Sequence, residues 1–133
     1  MAGNVLSVST SGTNVYKSRV TRLDDKSKDV TWVHTTTGTL TGTLIVEGSN
    51  SPNAQIERDQ AGGTNTTDSA VWVQYKHLLQ NDGSAGHNIA ISGAATDYIE
   101  LVDSPFKALR VKYTNATNTG TVDVDACAKA EAV

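Results

Sequence analysis

At 133 residues the chain has the length of one domain, and a domain of that size buries about two-thirds of the surface its unfolded form exposes, enough for a core without staples. Eleven Lys and Arg against fourteen Asp and Glu give a net charge of −3, without the basic excess expected of a nucleic-acid binder. The single cysteine, Cys127, excludes an internal disulfide framework and a cysteine-based metal cluster, and the abundance of Thr, Asn, Ser, Gly and Val favours strands and turns over helices.

The segment Met1 to Thr13 is small and polar, with one alternating piece, Val5-Leu6-Ser7-Val8. It reads as a frayed end or short edge strand, or as an extended arm that orders on a partner. The arm is the working expectation. It divides the chain into an arm, 1–13, and a domain, 14–133, and makes Val5, Leu6 and Val8 contact residues. The segment lacks the basic stretch and long apolar run of a signal peptide, and no stretch approaches the length of a membrane span. A cytosol-like compartment follows, unless a particle carries the protein out.

Tyr16 to Leu23 has a weak strand pattern, and Asp24 to Asp29 is a charged turn. In the next strand Val30, Trp32 and His34 alternate with Thr31, Val33 and Thr35, and Trp32 is expected to point inward. The strand Gly42 to Asn50 organises the rest: Leu40, Leu44 and Val46 form one apolar row, while Thr43, Ile45 and Glu47 lie on the other face. Its expected partners are Phe106 to Tyr113 and Thr121 to Ala128. Between Ser51 and Ser69 a long polar loop, with Asn65 in its centre, is the candidate interaction loop. Ala70 to Lys76 reads as a strand with Val71, Val73 and Tyr75 on one face and Trp72 on the other.

His77 to Gln80 adds a short turn and Asn81 to Gly86 another. Asn88 to Ser92 and Asp97 to Val102 follow as strands, with Ile89, Ile91, Ile99 and Leu101 inward. Phe106 to Thr114 and Thr121 to Ala128 have the pattern of a hairpin, Leu109, Val111 and Tyr113 being answered by Val122, Val124 and Ala126. That register sets Arg110 and Lys112 beside Asp123 and Asp125 on the outer face, as pairs of opposite charge. The fold expected is all-β: a single antiparallel sandwich, jelly-roll-like, of about eight strands with minimal helix.

The chain carries no GxSxG, HExxH, CxxC or phosphate-cradling glycine loop. His34, His77 and His87 are scattered and read as surface residues. Asp123 and Asp125 have the oxygen chemistry for Ca²⁺ or Mg²⁺, but their basic neighbours favour charge pairing. Asn65-Thr66-Thr67 and Asn115-Ala116-Thr117 match the glycosylation acceptor, as short Asn/Thr-rich turns do by chance. Cys127 fits a small, semi-buried strand residue. Trp72 either packs under a covering segment or anchors an interface or a sugar. Neither a catalytic residue nor a metal ligand is assigned, and no cofactor.

One resemblance emerges from the strand-and-turn words. Val30-Thr31-Trp32, then Gly38-Thr39-Leu40-Thr41-Gly42-Thr43-Leu44-Ile45-Val46-Glu47-Gly48-Ser49-Asn50, followed by Tyr98-Ile99-Glu100-Leu101, Phe106 to Thr114 and Thr119-Gly120-Thr121, resembles a group of small virion proteins of tailed bacteriophages. The likeness runs from Thr31 to Lys129. It departs between Ser51 and Ser69, where the tryptophan expected soon after the Ser-Asn turn is delayed to Trp72. The resemblance implies a capsid decoration (cement) protein, or else a component of head or tail fibres. As a decoration protein it would be a trimer at local symmetry axes of the capsid surface, made in the host bacterial cytoplasm. The major capsid protein would be its partner, with no nucleic acid and no membrane. The rival from another class is a carbohydrate-binding sandwich with Trp72 and the 51–69 loop as its platform.

Overall fold

The computed structural model describes residues 2–23, 27–80 and 85–130. Parts of the turns expected at Asp24 to Asp29 and Asn81 to Gly86 therefore lie outside the described residues, as does Met1. In chain order the strands begin with β1 (Ala2–Thr10), β2 (Val15–Lys17), β3 (Thr21–Arg22), β4 (Ser27–Gly38) and β5 (Thr41–Ser49). The helix α1 (Asn53–Arg58) follows, then β6 (Gly63–Thr64), β7 (Val73–Gln74), β8 (Leu78–Gln80) and β9 (Ala85–Gly86). The chain closes with β10 (Ile89–Ser92), β11 (Ala95–Leu101), β12 (Ala108–Thr117) and β13 (Gly120–Ala130).

These strands form two antiparallel sheets packed face to face, an all-β sandwich as the alternation predicts. The first sheet runs β1-β13-β4-β11-β8-β9; the second runs β10-β5-β12-β2-β6, with β3 added to β12 and β7 to β5. Inward rows from both sheets meet in one core. Leu40, Leu44, Val46, Leu109, Val111 and Tyr113 of the second sheet face Val30, Trp32, Ile99, Leu101, Val122 and Val124 of the first, all at 0–1% exposure. Ile89 and Ile91 are buried too, as their phase in β10 predicts.

The expected hairpin is the main correction. β12 pairs with β5 and β13 pairs with β4, so the two strands lie in opposite sheets. The Leu109 and Val122 rows meet across the core and not side by side. Between the strands, the chain crosses the sandwich at Asn118 (φ 65°). Asn115 fastens that corner, its Nδ2 donating to the carbonyls of Gly12 (2.7 Å) and Asn118 (3.1 Å). Gly120 completes the corner because a Cβ there would overlap the Thr37 carbonyl.

Three further differences matter for function. Ala2–Thr10, expected as an arm, forms the edge strand of the first sheet in register with β13 from Ala2↔Cys127 to Thr10↔Gly120. The loop after β5 carries α1 and β6, and buries Ile56 beside Val20, Ala70 and Ala108 on the outer face of the second sheet. Within Ala70 to Lys76 only Val73–Gln74 is strand, and the expected faces are reversed. Val71 and Val73 are exposed while Trp72 packs on that small outer cluster, where its larger apolar surface finds cover.

Candidate functional site

β1 presents the residues that the sequence suggests as contacts of an arm. Leu6 is buried in the main core, and Val5 and Val8 pack against it half-buried. A bulge between Asn4 and Leu6 interrupts the pairing with β13. Asn4 bridges it, its Nδ2 reaching the carbonyls of Leu6 and Val124 and the Asp125 carboxylate at 3.1–3.3 Å. The bulge turns the Val5 carbonyl to the amide of Arg19, 2.8 Å away. Beyond that tie, β1 is the terminal strand of its sheet, with Ser7 and Ser9 exposed and no charged residue or proline along its nine residues.

The outer face of the second sheet carries the strongest electrostatics. Strand alternation sends Glu47 and Arg110 to that face, and the register sets them directly opposite each other. The segment from α1 to Trp72 folds over them, so Arg110 is 1% exposed. Its guanidinium donates through Nε and Nη2 to Glu47 Oε1 (3.0 and 2.8 Å) and through Nη1 and Nη2 to both Asp68 oxygens (2.8 Å each). The Trp72 ring lies over the guanidinium, 4.1 Å from ring centre to Cζ. Lys17 adds a 3.1 Å contact to Asp68 and Lys112 a 3.3 Å contact to Glu47.

Two carboxylates hold the covering segment down. Asp59 accepts from the Trp72 indole N–H and the amides of Ser69 and Ala70, all at 2.9–3.1 Å. Burial opposes its charge, but these donors outweigh it and keep its pKa below the ordinary value. Hydrogen bonds from Arg110 likewise hold Asp68 low against its desolvation, with Lys17 adding to the effect. For Arg110 burial disfavours the cation, yet Asp68 and Glu47 prevail and raise its pKa. The arrangement is a closed lattice of charges that latches the 51–72 segment to the sheet.

Within it Trp72 has one face taken by Arg110 and its N–H by Asp59, so the open platform of the carbohydrate reading is not there. Asn65, at φ 53°, has an exposed side chain that ties its loop to β2. Its Oδ1 accepts from the Val15 amide (2.8 Å) and its Nδ2 donates to Asn14 Oδ1 (2.9 Å). Arg110 and Lys112 do not meet Asp123 and Asp125, because β12 and β13 occupy different sheets. Among the described residues no three His, Cys, Asp or Glu side chains gather as a metal site. Cys127 is exposed on β13, not semi-buried, and Asn115 of the second glycosylation match is buried.

The histidines divide. His77 and His87 are exposed as expected, but His34 is 2% exposed on the inner face of β4. Its phase with Trp32 was the available signal. Burial lowers its pKa, an effect the facing Asp97 carboxylate partly offsets.

No protein-family model, curated protein or solved structure matches this chain.

Proposed function

We propose that the chain is a non-enzymatic structural protein of a tailed-bacteriophage virion, a capsid decoration protein that binds across major capsid subunits and stabilises the shell. Two things support this reading: the strand-and-turn words of its sequence, and the edge of β1. That edge is nine residues long, uncharged and free of proline. Soluble β-proteins ordinarily blunt such an edge with charge, proline or a covering segment, because it templates pairing with another chain. Here only the bulge at Val5 interrupts it. A sandwich with one such edge suits the bridging of neighbouring capsid subunits by β-augmentation.

The mechanism is mass action: whatever binds the assembled shell and not its separated parts shifts the balance toward the shell. Self-association as a trimer would place three such edges around a local symmetry axis on the capsid surface. Copy number per particle tests the assignment, since hundreds of copies mean capsid and a handful mean a tail or fibre component. The edge itself is tested by Ser7→Lys with Ser9→Lys. Both side chains are exposed, so the fold should be kept while capsid binding and the heat resistance it confers fall. Undiminished binding would remove β1 from the interface.

A further inference from the structure

The inner face of the first sheet changes character toward one corner. Register pairs Asp97 with His34 and Ile99 with both Trp32 and Gln80, so Gln80, Asp97, His34 and, one step along β4, Thr36 all point toward the second sheet. Apolar residues hold the equivalent inward positions elsewhere in the sandwich. The second sheet covers this corner only with β10, its four-residue edge strand, through Ile89 and Ile91. Between them lies a cleft of about 250 Å³ lined by these six side chains.

His34 is the informative member. It is 2% exposed, it lines the cleft, and both its ring nitrogens lack a hydrogen-bond partner among the described residues. A neutral imidazole needs one donor and one acceptor opposite it, and a buried polar group left without them is costly. We propose that the cleft between β10 and the β4–β11–β8 corner binds a small neutral polyhydroxylated molecule, a single sugar ring, with His34, Asp97 and Gln80 taking its hydroxyls and Ile89 and Ile91 its C–H face.

The chemistry selects this class. A hydroxyl both donates and accepts, and so completes the imidazole, the carboxylate and the amide alike. Asp97 gives the cleft a negative charge once His34 is neutral, which disfavours phosphates and carboxylates. A drug-sized ligand asks for about 300 Å³ or more, whereas one water takes about 30 Å³, so the space fits a single ring or several waters. The site is remote from the β1 edge, and it stands or falls independently of the decoration role.

The test is a ¹H–¹⁵N NMR titration of the full chain with galactose, mannose and N-acetylglucosamine, with inorganic phosphate and zinc chloride as competing probes. One of the sugars should give saturable shifts confined to the amides around His34, Ile91 and Asp97. Asp97→Asn and Gln80→Ala should each weaken that sugar about tenfold, the loss of one good polar contact. Gln80 is half-buried in a short strand, so its replacement keeps the test open should Asp97→Asn fail to fold. Absence of saturation with all three sugars, equal affinity in the folded variants, or shifts at His34 from zinc or phosphate alone would overturn the proposal. Capsid binding is measured separately, so failure here leaves the decoration reading intact.

Discussion

Truncating Arg110 to alanine would leave Glu47 buried opposite a void and strip the Trp72 ring of the cation beneath it. Removing one member of a buried ion pair is strongly destabilising because the remaining charge is uncompensated. Arg110→Ala should therefore cost about 3–5 kcal/mol in urea unfolding. Asp68→Asn should cost less, since the Asp68 side chain is 30% exposed and water takes over part of its role. Equal, small effects from both would mean the guanidinium is solvated. Leu109→Ala, in the main core, should cost about 2–5 kcal/mol by loss of packing alone. The phase of Arg110 was legible from alternation, but its burial was not. Nothing in the sequence of β12 announces that residues 51–72 will fold over its outer face.

Strands were more legible than their neighbours. Period-two alternation identifies the inward residues of β4, β5, β10, β11, β12 and β13, and the buried rows agree. Alternation does not say whether two apolar rows lie side by side in one sheet or face each other across a core. Leu109-Val111-Tyr113 and Val122-Val124-Ala126 satisfy both arrangements equally. The short turn at Asn118–Thr119 favoured the hairpin, and the corner held by Asn115 decides against it. The polar corner around His34 has the same history: each residue's phase was readable within its own strand, but the adjacency of β4, β11 and β8 was not.

β1 carries the corresponding prediction at the scale of an element. As an arm, Met1 to Thr13 would be dispensable for folding. As the strand that pairs with β13 and inserts Leu6, it is part of the sandwich. Deleting 1–10 should unfold the chain or leave it aggregating through the exposed edge of β13, whereas Ser7→Lys with Ser9→Lys should leave the circular dichroism spectrum and melting temperature near wild type. A truncated chain that stays monomeric and melts like the parent would restore the arm.

At the scale of the whole molecule the buried titratable groups set a pH window for stability. Burial lowers the His34 pKa from its ordinary 6.5, so the unfolded chain takes up a proton there before the folded one does. Stability is unaffected by this group above about pH 6.5 and falls as pH drops from there through the folded pKa. The Asp97 carboxylate faces the imidazole and moderates the loss. Asp59 and Asp68, held below the ordinary carboxylate value of 3.8, add a second loss that begins below that value and runs through their folded pKa values. On the alkaline side the fully buried Tyr113 has its pKa pushed up to about 12, chiefly by burial and further by Tyr16. Its hydroxyl, 3.0 Å from Asn115 Oδ1, must stay protonated in the fold, so stability is complete below pH 10 and declines as pH rises from 10 toward 12. Urea midpoints measured across pH should thus form a plateau between about 7 and 10, with a slope on each side. Tyr113→Phe should flatten the alkaline limb even if it lowers the plateau, and His34→Gln should flatten the limb between about pH 6.5 and 5 while leaving the carboxylate loss below it. Midpoints of wild-type protein that do not change between pH 7 and 5 would show that His34 titrates alike in both states, and that it is not buried as described.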